Sequence, residues 1–410
     1  MKYYVESYGC TMNFGEGRRL SADMASMGYS ESASAEEADI VILNTCTVVE
    51  TTEKRMLARI SELKKQGKEV IVTGCMAKAQ PQRVEIRLPG SIIVPPENYH
   101  SFARLVGEKY GIVGPPVPVK HDLDAILPVA QGCLGNCSYC ITRLARGRLK
   151  SYGSDELIRT FNGFIDGGSR EVLLTAQDTA SYGHDTGTDL PSLIKAMLGK
   201  EGDYRIRIGM MNPNYLERIK DGILETMDDE RMYRFLHIPV QSGSNDVLKG
   251  MRRQYTVESF LELTDYLRAS CPDISIATDI ICGFPGETDE DHQKSLDLIR
   301  TLRADTVNIT RFSSRPGTDA ALMTPVHGRI SKDRSAELTT VKNETELDVN
   351  RNMIGKRYRV LATEVGKEGT ITRTGNYRPV VIRDKVELGT FLDVEVDDCE
   401  STYLLGHTLG

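Results

Sequence analysis

The chain has 410 residues with a formal net charge of −7 at pH 7, and 40% of its residues are hydrophobic and 27% charged. This length favours roughly two to three domains, and the acidic balance excludes general electrostatic attraction to nucleic acid, so any such contact needs a local basic patch. No signal-peptide or membrane-spanning run is present. We therefore expect a cytoplasmic protein without a membrane partner, whose nine cysteines stay reduced and serve metal binding or catalysis.

The first part of the chain alternates apolar strand-like segments with helical ones. The strand-like segments read KYYVES, ADIVILN, KEVIVTG and SIIV, and patterns such as TTEKRMLARISELKKQG lie between them. This alternation predicts an α/β domain with a parallel sheet over residues 1–113. The proline-rich GPPVPVK that follows predicts a stiff linker over residues 114–120.

Residues 121–350 repeat a strand–helix pattern about six times, which predicts a complete or partial (β/α)6 barrel with its chemistry at the carboxyl ends of the strands. The strand ends read AILPVAQGC, EVLLTAQD, RIRIGMMNP, FLHIPVQSGS, IATDIICGFPGE and TVNITRFSSRPG. Residues 351–410 change character, because KRYRVLATEV, GTITRT, YRPVVIR and FLDVEV are short strand patterns joined by turns. They predict a small antiparallel β-barrel of the oligonucleotide-binding type.

The loop QGCLGNCSYCITRLARG carries Cys133, Cys137 and Cys140 in the spacing C-x3-C-x2-C. Structural zinc takes four ligands, and a fourth is missing nearby, so zinc or inert thiols remain the weaker alternative. Three soft thiolates suit a [4Fe–4S] cluster with one open iron, and Gly132 and Gly135 let the backbone fold tightly around it. This spacing at the end of a barrel's first strand resembles the radical S-adenosylmethionine enzymes. The resemblance implies that the free iron chelates S-adenosylmethionine, which is cleaved to a 5′-deoxyadenosyl radical.

Cys10, Cys46 and Cys75 lie far apart in sequence, but each ends an apolar strand pattern. Because the ends of parallel strands share one sheet edge, the three thiols can converge on a second site, although small buried cysteines are an equal alternative. YGCTMN, NTCTV and TGCMA resemble the N-terminal domain of the methylthiotransferases, a family that continues with a radical S-adenosylmethionine core and a C-terminal TRAM barrel. The resemblance covers essentially the whole chain. It implies an auxiliary [4Fe–4S] cluster that carries the inserted sulfur, and a catalytic role for all six cysteines.

The remaining three cysteines, Cys271, Cys282 and Cys399, fit neither set, and we interpret them as structural. Polar residues just past the barrel strands are candidates for binding the methionyl, ribose or adenine parts of S-adenosylmethionine, against the alternative of solvated loops. These candidates are Gln177, Asp178, Asn212, Gln241, Ser242, Arg311 and Ser313. GFPGET resembles a motif of the same enzymes, and it also predicts a tight turn in which Thr288 caps the next helix with Asp291.

Two groups of basic residues are candidates for RNA contacts. The first, directly after the cysteine loop, can dock phosphates or be a solvated face: Arg143, Arg146, Arg148 and Lys150. The second rests on the resemblance, because TRAM domains bind RNA: Arg373, Arg378, Arg383 and Lys385. Tyr358 and Tyr377 are the aromatic residues available there for base stacking.

Leu134-Gly135 and the proline-free Thr142-Arg143 resemble the archaeal and eukaryotic branch of the methylthiotransferases. That branch methylthiolates C2 of N6-threonylcarbamoyladenosine at position 37, next to the anticodon of tRNA. The resemblance implies two S-adenosylmethionine molecules and two [4Fe–4S] clusters as cofactors. It implies as partners tRNA, a flavodoxin- or ferredoxin-type electron donor and a sulfur source. The alternatives are the same chemistry on isopentenyladenosine tRNA or on a ribosomal-protein aspartate, and a non-catalytic iron–sulfur carrier or RNA-binding protein.

Overall fold

The structure, a computed structural model, describes residues 1–48, 50–117, 122–367 and 369–409. The chain divides into two compact units, of which unit 1 comprises residues 1–121, 130–150 and 315–321, and unit 2 comprises residues 122–129, 151–314 and 322–410. The N-terminal segment therefore shares its unit with the cysteine-bearing loop. Residues 118–121, which end the expected linker and begin the expected core, lie outside the described residues. The boundaries 1–113, 121–350 and 351–410 stay predictions.

Unit 1 contains a five-stranded sheet in the order β2-β1-β3-β4-β5, with every pair parallel. Its strands are β1 (Lys2–Ser7), β2 (Ser30–Glu31), β3 (Ile40–Thr45), β4 (Glu69–Gly74) and β5 (Ile92–Val94). Its helices are α1 (Thr11–Ser26), α2 (Glu50–Lys65), α3 (Cys75–Ala79), α4 (Pro81–Glu85) and α5 (Phe102–Tyr110), with a 3₁₀ turn at Pro96–Ser101. The predicted parallel α/β sheet is confirmed.

The central strands β3 and β4 contain continuous apolar runs, residues 40–43 and 70–72, because both faces of the sheet are covered. Successive side chains of a strand point to opposite faces, so Val41 and Leu43 belong to one buried cluster and Ile40 and Ile42 to the other. All six residues of β3 are buried. This packing fixes the register of the sheet and with it the position of the residues that follow each strand.

The segment 130–150 of unit 1 contains short elements around the cysteine loop. They are β7 (Ala130–Gln131), α6 (Thr142–Arg146) and the start of β8 (Lys150–Ser151). Helix α6 ends at Gly147, whose φ of 79° lies in the left-handed region that favours glycine. The segment 315–321 adds the start of a 3₁₀ turn at Asp319–Leu322.

Unit 2 contains six parallel strands in two three-stranded sheets, ordered β10-β9-β6 and β11-β12-β13. The strands are β6 (Asp124–Pro128), β9 (Glu171–Thr175), β10 (Arg205–Ile208), β11 (Phe235–His237), β12 (Ser275–Cys282) and β13 (Thr306–Arg311). Two backbone hydrogen bonds join the sheets. The Ile206 amide donates to the Arg231 carbonyl oxygen at 2.7 Å, and the Tyr233 amide donates to the Ile206 carbonyl oxygen at 2.9 Å. The predicted partial (β/α)6 barrel is confirmed.

The helices between these strands begin and end at recognisable signals. They are α7 (Ser154–Asp166), α8 (Leu190–Leu198), α9 (Pro213–Thr226), α10 (Asn245–Gly250), α11 (Val257–Ser270) and α12 (Asp289–Leu302), with a 3₁₀ turn at Thr179–Ser181. The predicted cap of α12 is present. The Thr288 side chain accepts a hydrogen bond from the Asp291 backbone amide, and the Asp291 side chain accepts one from the Thr288 backbone amide.

The C-terminal barrel follows a long helix, α13 (Gly328–Arg351), and closes in the order β14-β15-β16-β18-β17. Its strands are β14 (Arg357–Val365), β15 (Thr370–Thr374), β16 (Pro379–Ile382), β17 (Phe391–Cys399) and β18 (Leu404–Thr408). Two features differ from expectation. Strand β18 has no counterpart among the four predicted strands, and it pairs parallel to β16, so the barrel is not purely antiparallel.

The C-terminal barrel packs against the partial barrel within unit 2. The Tyr377 ring lies 4.8 Å from the Tyr233 ring, and the Arg207 guanidinium lies 4.6 Å from the Tyr377 ring. Arg378 forms a buried ion pair with Asp305. Because aromatic, cation–π and ionic contacts join the two barrels, they form one compact body. Among the helices in the described part of the chain, none is long and apolar enough to cross a membrane.

Candidate functional site

The three dispersed cysteines follow adjacent strands of the unit 1 sheet. Cys10 comes after β1 and caps α1, Cys46 follows β3, and Cys75 begins α3 directly after β4. Since β1, β3 and β4 are neighbours in the sheet, the structure brings the three segments to one edge. Cys46 and Cys75 are buried, whereas Cys10 is exposed. Strand ends of an open parallel sheet are the place where α/β proteins bind ligands.

Two glycines allow the backbone to approach these cysteines closely. Gly74 has a φ of 82°, and a Cβ there would lie 2.2 Å from the Thr45 carbonyl oxygen. Gly9 has a φ of 104°, and a Cβ there would lie 2.8 Å from the Cys46 sulfur. No side chain fits either position, so the edge is built by backbone packing as well as by the thiols.

Cys75 lies in a buried polar network. Burial raises the pKa of its thiol to about 12, and the Arg146 guanidinium opposes that rise. The Arg146 Nε donates to the Cys75 Sγ at 3.2 Å, while its two terminal nitrogens donate to Glu16 and Asn13. Tyr99 completes the network, because its hydroxyl accepts from the Gly74 amide at 3.0 Å. Burial holds the pKa of that hydroxyl well above its usual value.

The cysteine loop has a more open environment. Cys133, Cys137 and Cys140 are each partly exposed. The Gly135 amide donates to the Cys133 sulfur at 3.2 Å, and the Cys140 amide donates to the Cys137 carbonyl oxygen at 3.3 Å. Both hydrogen bonds lie within the short segment that carries the three thiols.

The two sets fit iron–sulfur chemistry by donor type. Across the residues that the structure describes, no three Cys, His, Asp or Glu side chains are drawn close enough together to hold a metal ion. The sulfur donors are soft, however, and amide and guanidinium groups already donate to the sulfurs of Cys133 and Cys75. Hydrogen bonds to sulfur are a means by which proteins tune such clusters.

The predicted cofactor-binding residues follow the strands of unit 2. Asp178 is buried and its Oδ1 accepts from the Asn212 amide at 3.0 Å, while burial raises its pKa to about 6. Gln241 has a φ of 76°, which is a strained conformation for a residue other than glycine. Within the described segments, Asp178 Oδ2, Gln241 Oε1 and Ser313 Oγ are buried without a hydrogen-bond partner. Buried polar atoms of this kind need a partner such as water or ligand.

The other candidates differ in exposure. Ser242 is fully buried and its hydroxyl accepts from the Ser244 amide at 3.2 Å. Gln177 is partly exposed and Arg311 is exposed. Arg253 was not anticipated from the sequence, yet it donates to the Asn212 side chain at 3.2 Å.

The structure corrects the basic candidates. Arg146 and Arg378 are buried in ion pairs with Glu16 and Asp305, so neither guanidinium is presented to a phosphate in solvent. The guanidinium of Arg373 stacks 4.8 Å from the ring of Tyr377. A charge pattern in sequence does not distinguish such inward arginines from a solvated face.

Among the remaining candidates, several side chains are exposed, and these are Arg148, Lys150, Arg383 and Lys385. Arg143 is partly exposed and donates to the Asn136 side chain at 2.9 Å. Tyr377 packs against Tyr233 and Phe235, and Tyr358 lies against the core of the C-terminal barrel, so neither ring is free to stack on a base.

The three cysteines interpreted as structural occupy ordinary positions. Cys271 follows the last residue of α11 as its C-cap, and Cys399 is the last residue of β17. Cys282 ends β12 and is buried, which raises the pKa of its thiol to about 11.

Comparison with known families matches three consecutive parts of the chain. Residues 2–94 match the uncharacterized protein family UPF0004, residues 127–299 match the Radical SAM superfamily and residues 351–409 match the TRAM domain. The partial barrel and the C-x3-C-x2-C loop thus define a radical S-adenosylmethionine enzyme. Membership of that superfamily implies S-adenosylmethionine and a [4Fe–4S] cluster as cofactors.

Relatives across archaea and animals extend the match over the whole chain. The probable threonylcarbamoyladenosine tRNA methylthiotransferase of Pyrococcus horikoshii is 39% identical over 100% of both chains. That of Archaeoglobus fulgidus is 37% identical over 99% of this chain and 98% of its own. The threonylcarbamoyladenosine tRNA methylthiotransferase of Danio rerio is 34% identical over 100% of this chain and 78% of its own. The chain belongs to the threonylcarbamoyladenosine tRNA methylthiotransferase family.

Solved structures show the same fold at low identity. The radical S-adenosylmethionine methyltransferase TsrM from Kitasatospora setae has a TM-score of 0.57 at 14% identity, over 78% of this chain and 76% of its own. The cobalamin-dependent S-adenosylmethionine radical enzyme OxsB has a TM-score of 0.53 at 11% identity, over 97% of this chain and 64% of its own. This likeness concerns the fold alone.

Proposed function

We propose that this chain replaces the C2 hydrogen of N6-threonylcarbamoyladenosine at position 37 of tRNA with a methylthio group. It uses two S-adenosylmethionine molecules and two [4Fe–4S] clusters. The observation that carries the proposal is the presence of both cysteine sets in one compact unit of a chain that matches its archaeal relatives from end to end. When bound, the cofactors supply the radical that activates C2 and the sulfur and methyl that replace the hydrogen.

The chain's own residues hold these groups and shield them. Cys133, Cys137 and Cys140 hold the radical cluster, and the Gly135 amide steadies the Cys133 sulfur. The auxiliary cluster is held by the dispersed set, Cys10, Cys46 and Cys75. The burial of Cys46 and Cys75 limits water at that site, whereas the exposed Cys10 leaves one side open.

The strand-end residues of unit 2 bind S-adenosylmethionine. Asp178 Oδ2, Gln241 Oε1 and Ser313 Oγ are buried acceptors that await a donor. The ammonium and ribose hydroxyl groups of S-adenosylmethionine are donors of the required kind. Asn212 and Arg253 fix the orientation of Asp178 and its surroundings.

Substrate RNA meets exposed cations, since each lysine or arginine placed near a phosphate adds electrostatic affinity. The side chains proposed for this contact are Arg148, Lys150, Arg383 and Lys385. A flavodoxin- or ferredoxin-type electron donor and a sulfur source complete the scheme. The reduced thiols suit the cytoplasm, which we propose as the compartment.

The test is an anaerobic assay of the reconstituted chain with S-adenosylmethionine, reductant and tRNA that bears threonylcarbamoyladenosine. Digestion to nucleosides and mass spectrometry should find a methylthio adduct on that nucleoside. Parallel reactions with isopentenyladenosine tRNA and with a ribosomal protein should give no product. An adduct on either of those substrates instead would contradict the proposed specificity.

A matched cysteine variant controls for damage to the fold. Cys271→Ala removes a thiol outside both sets and should retain the product, because Cys271 is the C-cap residue that follows α11.

If the parent chain did not cleave S-adenosylmethionine with its clusters intact, a non-catalytic iron–sulfur carrier would be the better description.

A further inference from the structure

Among the four basic residues directly after the cysteine loop, Arg146 is the buried one, and its side chain is 1% exposed. Its partner Glu16, on α1, is 3% exposed. A buried ion pair is costly to desolvate and is weak evidence of a stabilising role, since a well-packed apolar pair often serves as well. Stability alone therefore does not explain why the ion pair of Arg146 and Glu16 is buried.

The hydrogen bonds of the Arg146 guanidinium indicate a role in positioning its neighbours. Its Nε donates to the Cys75 sulfur at 3.2 Å, and one terminal nitrogen donates to the Asn13 side-chain oxygen. The Asn13 amide in turn donates to the carbonyl oxygens of Tyr8 and Thr45, at 2.6 and 2.9 Å. Tyr8 precedes Cys10 and Thr45 precedes Cys46, so one guanidinium is connected to the ends of β1, β3 and β4.

Cys10 is linked to the same amide group. Its sulfur lies 3.8 Å from the Asn13 side-chain oxygen, which also accepts from Arg146. All three nitrogens of the guanidinium are thus used, one on a carboxylate, one on an amide and one on a thiol. Lysine could not reproduce this planar fork of donors.

We propose that Arg146 is a positioning residue for the dispersed cysteines, holding Cys75 directly and the other two strand ends through Asn13. The inference rests on the proposed function, because it assigns the auxiliary cluster to these cysteines. A positive charge and an N–H donor beside a sulfur ligand favour the reduced, more negative state of a cluster. Since α6 follows Cys140 almost directly, the residue also ties the cysteine loop to the second cysteine set.

The test uses the full chain with Cys133, Cys137 and Cys140 replaced by alanine, so that bound iron reports the dispersed set alone. After anaerobic reconstitution over a range of iron and sulfide concentrations, two quantities are compared between variants. They are the iron affinity, from the iron bound per chain, and the midpoint potential, by electron paramagnetic resonance. Glu16→Gln/Arg146→Met removes both charges and leaves no unpaired buried carboxylate. We expect its iron affinity to fall about 10- to 100-fold, and its potential to become more negative.

Two further variants test the direction and the size of the shift in midpoint potential. Arg146→Lys keeps the charge but loses the fork, so its potential should lie between those of the parent and the double variant. Glu16→Gln removes only the negative charge, so its potential should shift in the opposite, positive direction. A purely structural role would not produce shifts of opposite sign.

A neighbouring buried pair in the same unit is the matched control. Arg315 and Glu53 have side chains that are 4% and 9% exposed, and the hydrogen bonds of Arg315 go to Thr47 and Glu53. Because Arg315 contacts the residue after Cys46 but no cysteine sulfur, Glu53→Gln/Arg315→Met should lower the iron affinity and shift the potential less than Glu16→Gln/Arg146→Met does. Circular dichroism of the iron-free proteins verifies that both double variants fold.

Three outcomes overturn the inference. Parental iron affinity and potential in both Arg146→Lys and Glu16→Gln/Arg146→Met would remove the assigned role. Equal shifts in the two double variants would reduce it to general packing. If the parent with only the dispersed cysteines bound no cluster, the auxiliary cluster of the proposed function would itself be wrong, and the role of Arg146 would fall with it.

Discussion

Cys133, Cys137 and Cys140 share one short loop, whereas Cys10, Cys46 and Cys75 follow three strands of a sheet. The loop set is partly exposed, and it combines local hydrogen bonds, such as that from the Gly135 amide to the Cys133 sulfur, with one from the distant Ala320 amide to the Ser138 carbonyl oxygen at 2.9 Å. Two cysteines of the dispersed set are buried, and their positions depend on strand register, on glycines without space for a Cβ and on a buried arginine. The comparison shows that chemically similar sites can depend on very different amounts of the fold.

The largest effect should come from the loop. Cys133→Ala removes one of three ligands from a site that has no reserve thiol on its loop. We expect loss of both S-adenosylmethionine cleavage and methylthiolated nucleoside, down to the background without enzyme. The measurement is 5′-deoxyadenosine and modified nucleoside from one reaction, with Cys271→Ala as the control. Cleavage at the parent's rate would show that this loop does not hold the radical cluster.

The second prediction separates the two sets. Cys10→Ala should leave S-adenosylmethionine cleavage close to that of the parent and abolish insertion of the methylthio group. The reason is that Cys10 belongs to the sheet edge and not to the loop that binds the radical cluster. The same two products are measured. Full methylthiolation by this variant would contradict the two-cluster scheme.

The third prediction addresses the backbone of the dispersed set. Gly74→Ala places a Cβ against the Thr45 carbonyl oxygen in a left-handed conformation, so we expect a loss of about 2–4 kcal/mol in the free energy of unfolding. Denaturant unfolding of the iron-free protein measures it. Gly147→Ala is the control, because its φ of 79° is similar but a Cβ there meets no atom within 4 Å. It should cost only about 1 kcal/mol.

The smallest effect is expected at the loop glycine. Gly135 is outside the left-handed region, and the nearest atom to an added Cβ is the Cys133 sulfur at 3.3 Å. Gly135→Ala should therefore change the free energy of unfolding by less than about 1 kcal/mol. The same denaturant titration serves as the measurement. A loss as large as that of Gly74→Ala would mean that the loop, too, is held by the surrounding fold.

The contrast between the local loop set and the dispersed set also explains which features could be predicted from the sequence. Strand–helix alternation predicts parallel sheets because their strands are buried and connected by helices, and C-x3-C-x2-C is a local signal. The convergence of Cys10, Cys46 and Cys75 could be expected from parallel strand ends. Strand β18 was missed because LLGHT is short and lies beside polar turns, and it is held by its two neighbours in a closed barrel.

Tertiary placement accounts for the errors among the arginines. Arg146 and Arg378 stand in sequence among exposed basic residues, and only the fold reveals Glu16 and Asp305 as their partners. A buried ion pair between distant residues leaves no periodic pattern in either segment.

The docking of the C-terminal barrel has a consequence for the binding of a long ligand. Tyr377 packs on Tyr233, and Arg378 is buried against Asp305, so this barrel cannot swing on a tether away from the strands of unit 2. Under the proposed function, an RNA bound by Arg383 and Lys385 would therefore meet those strands at a fixed distance. Selection of that RNA would then depend on its length and curvature as well as on its chemistry.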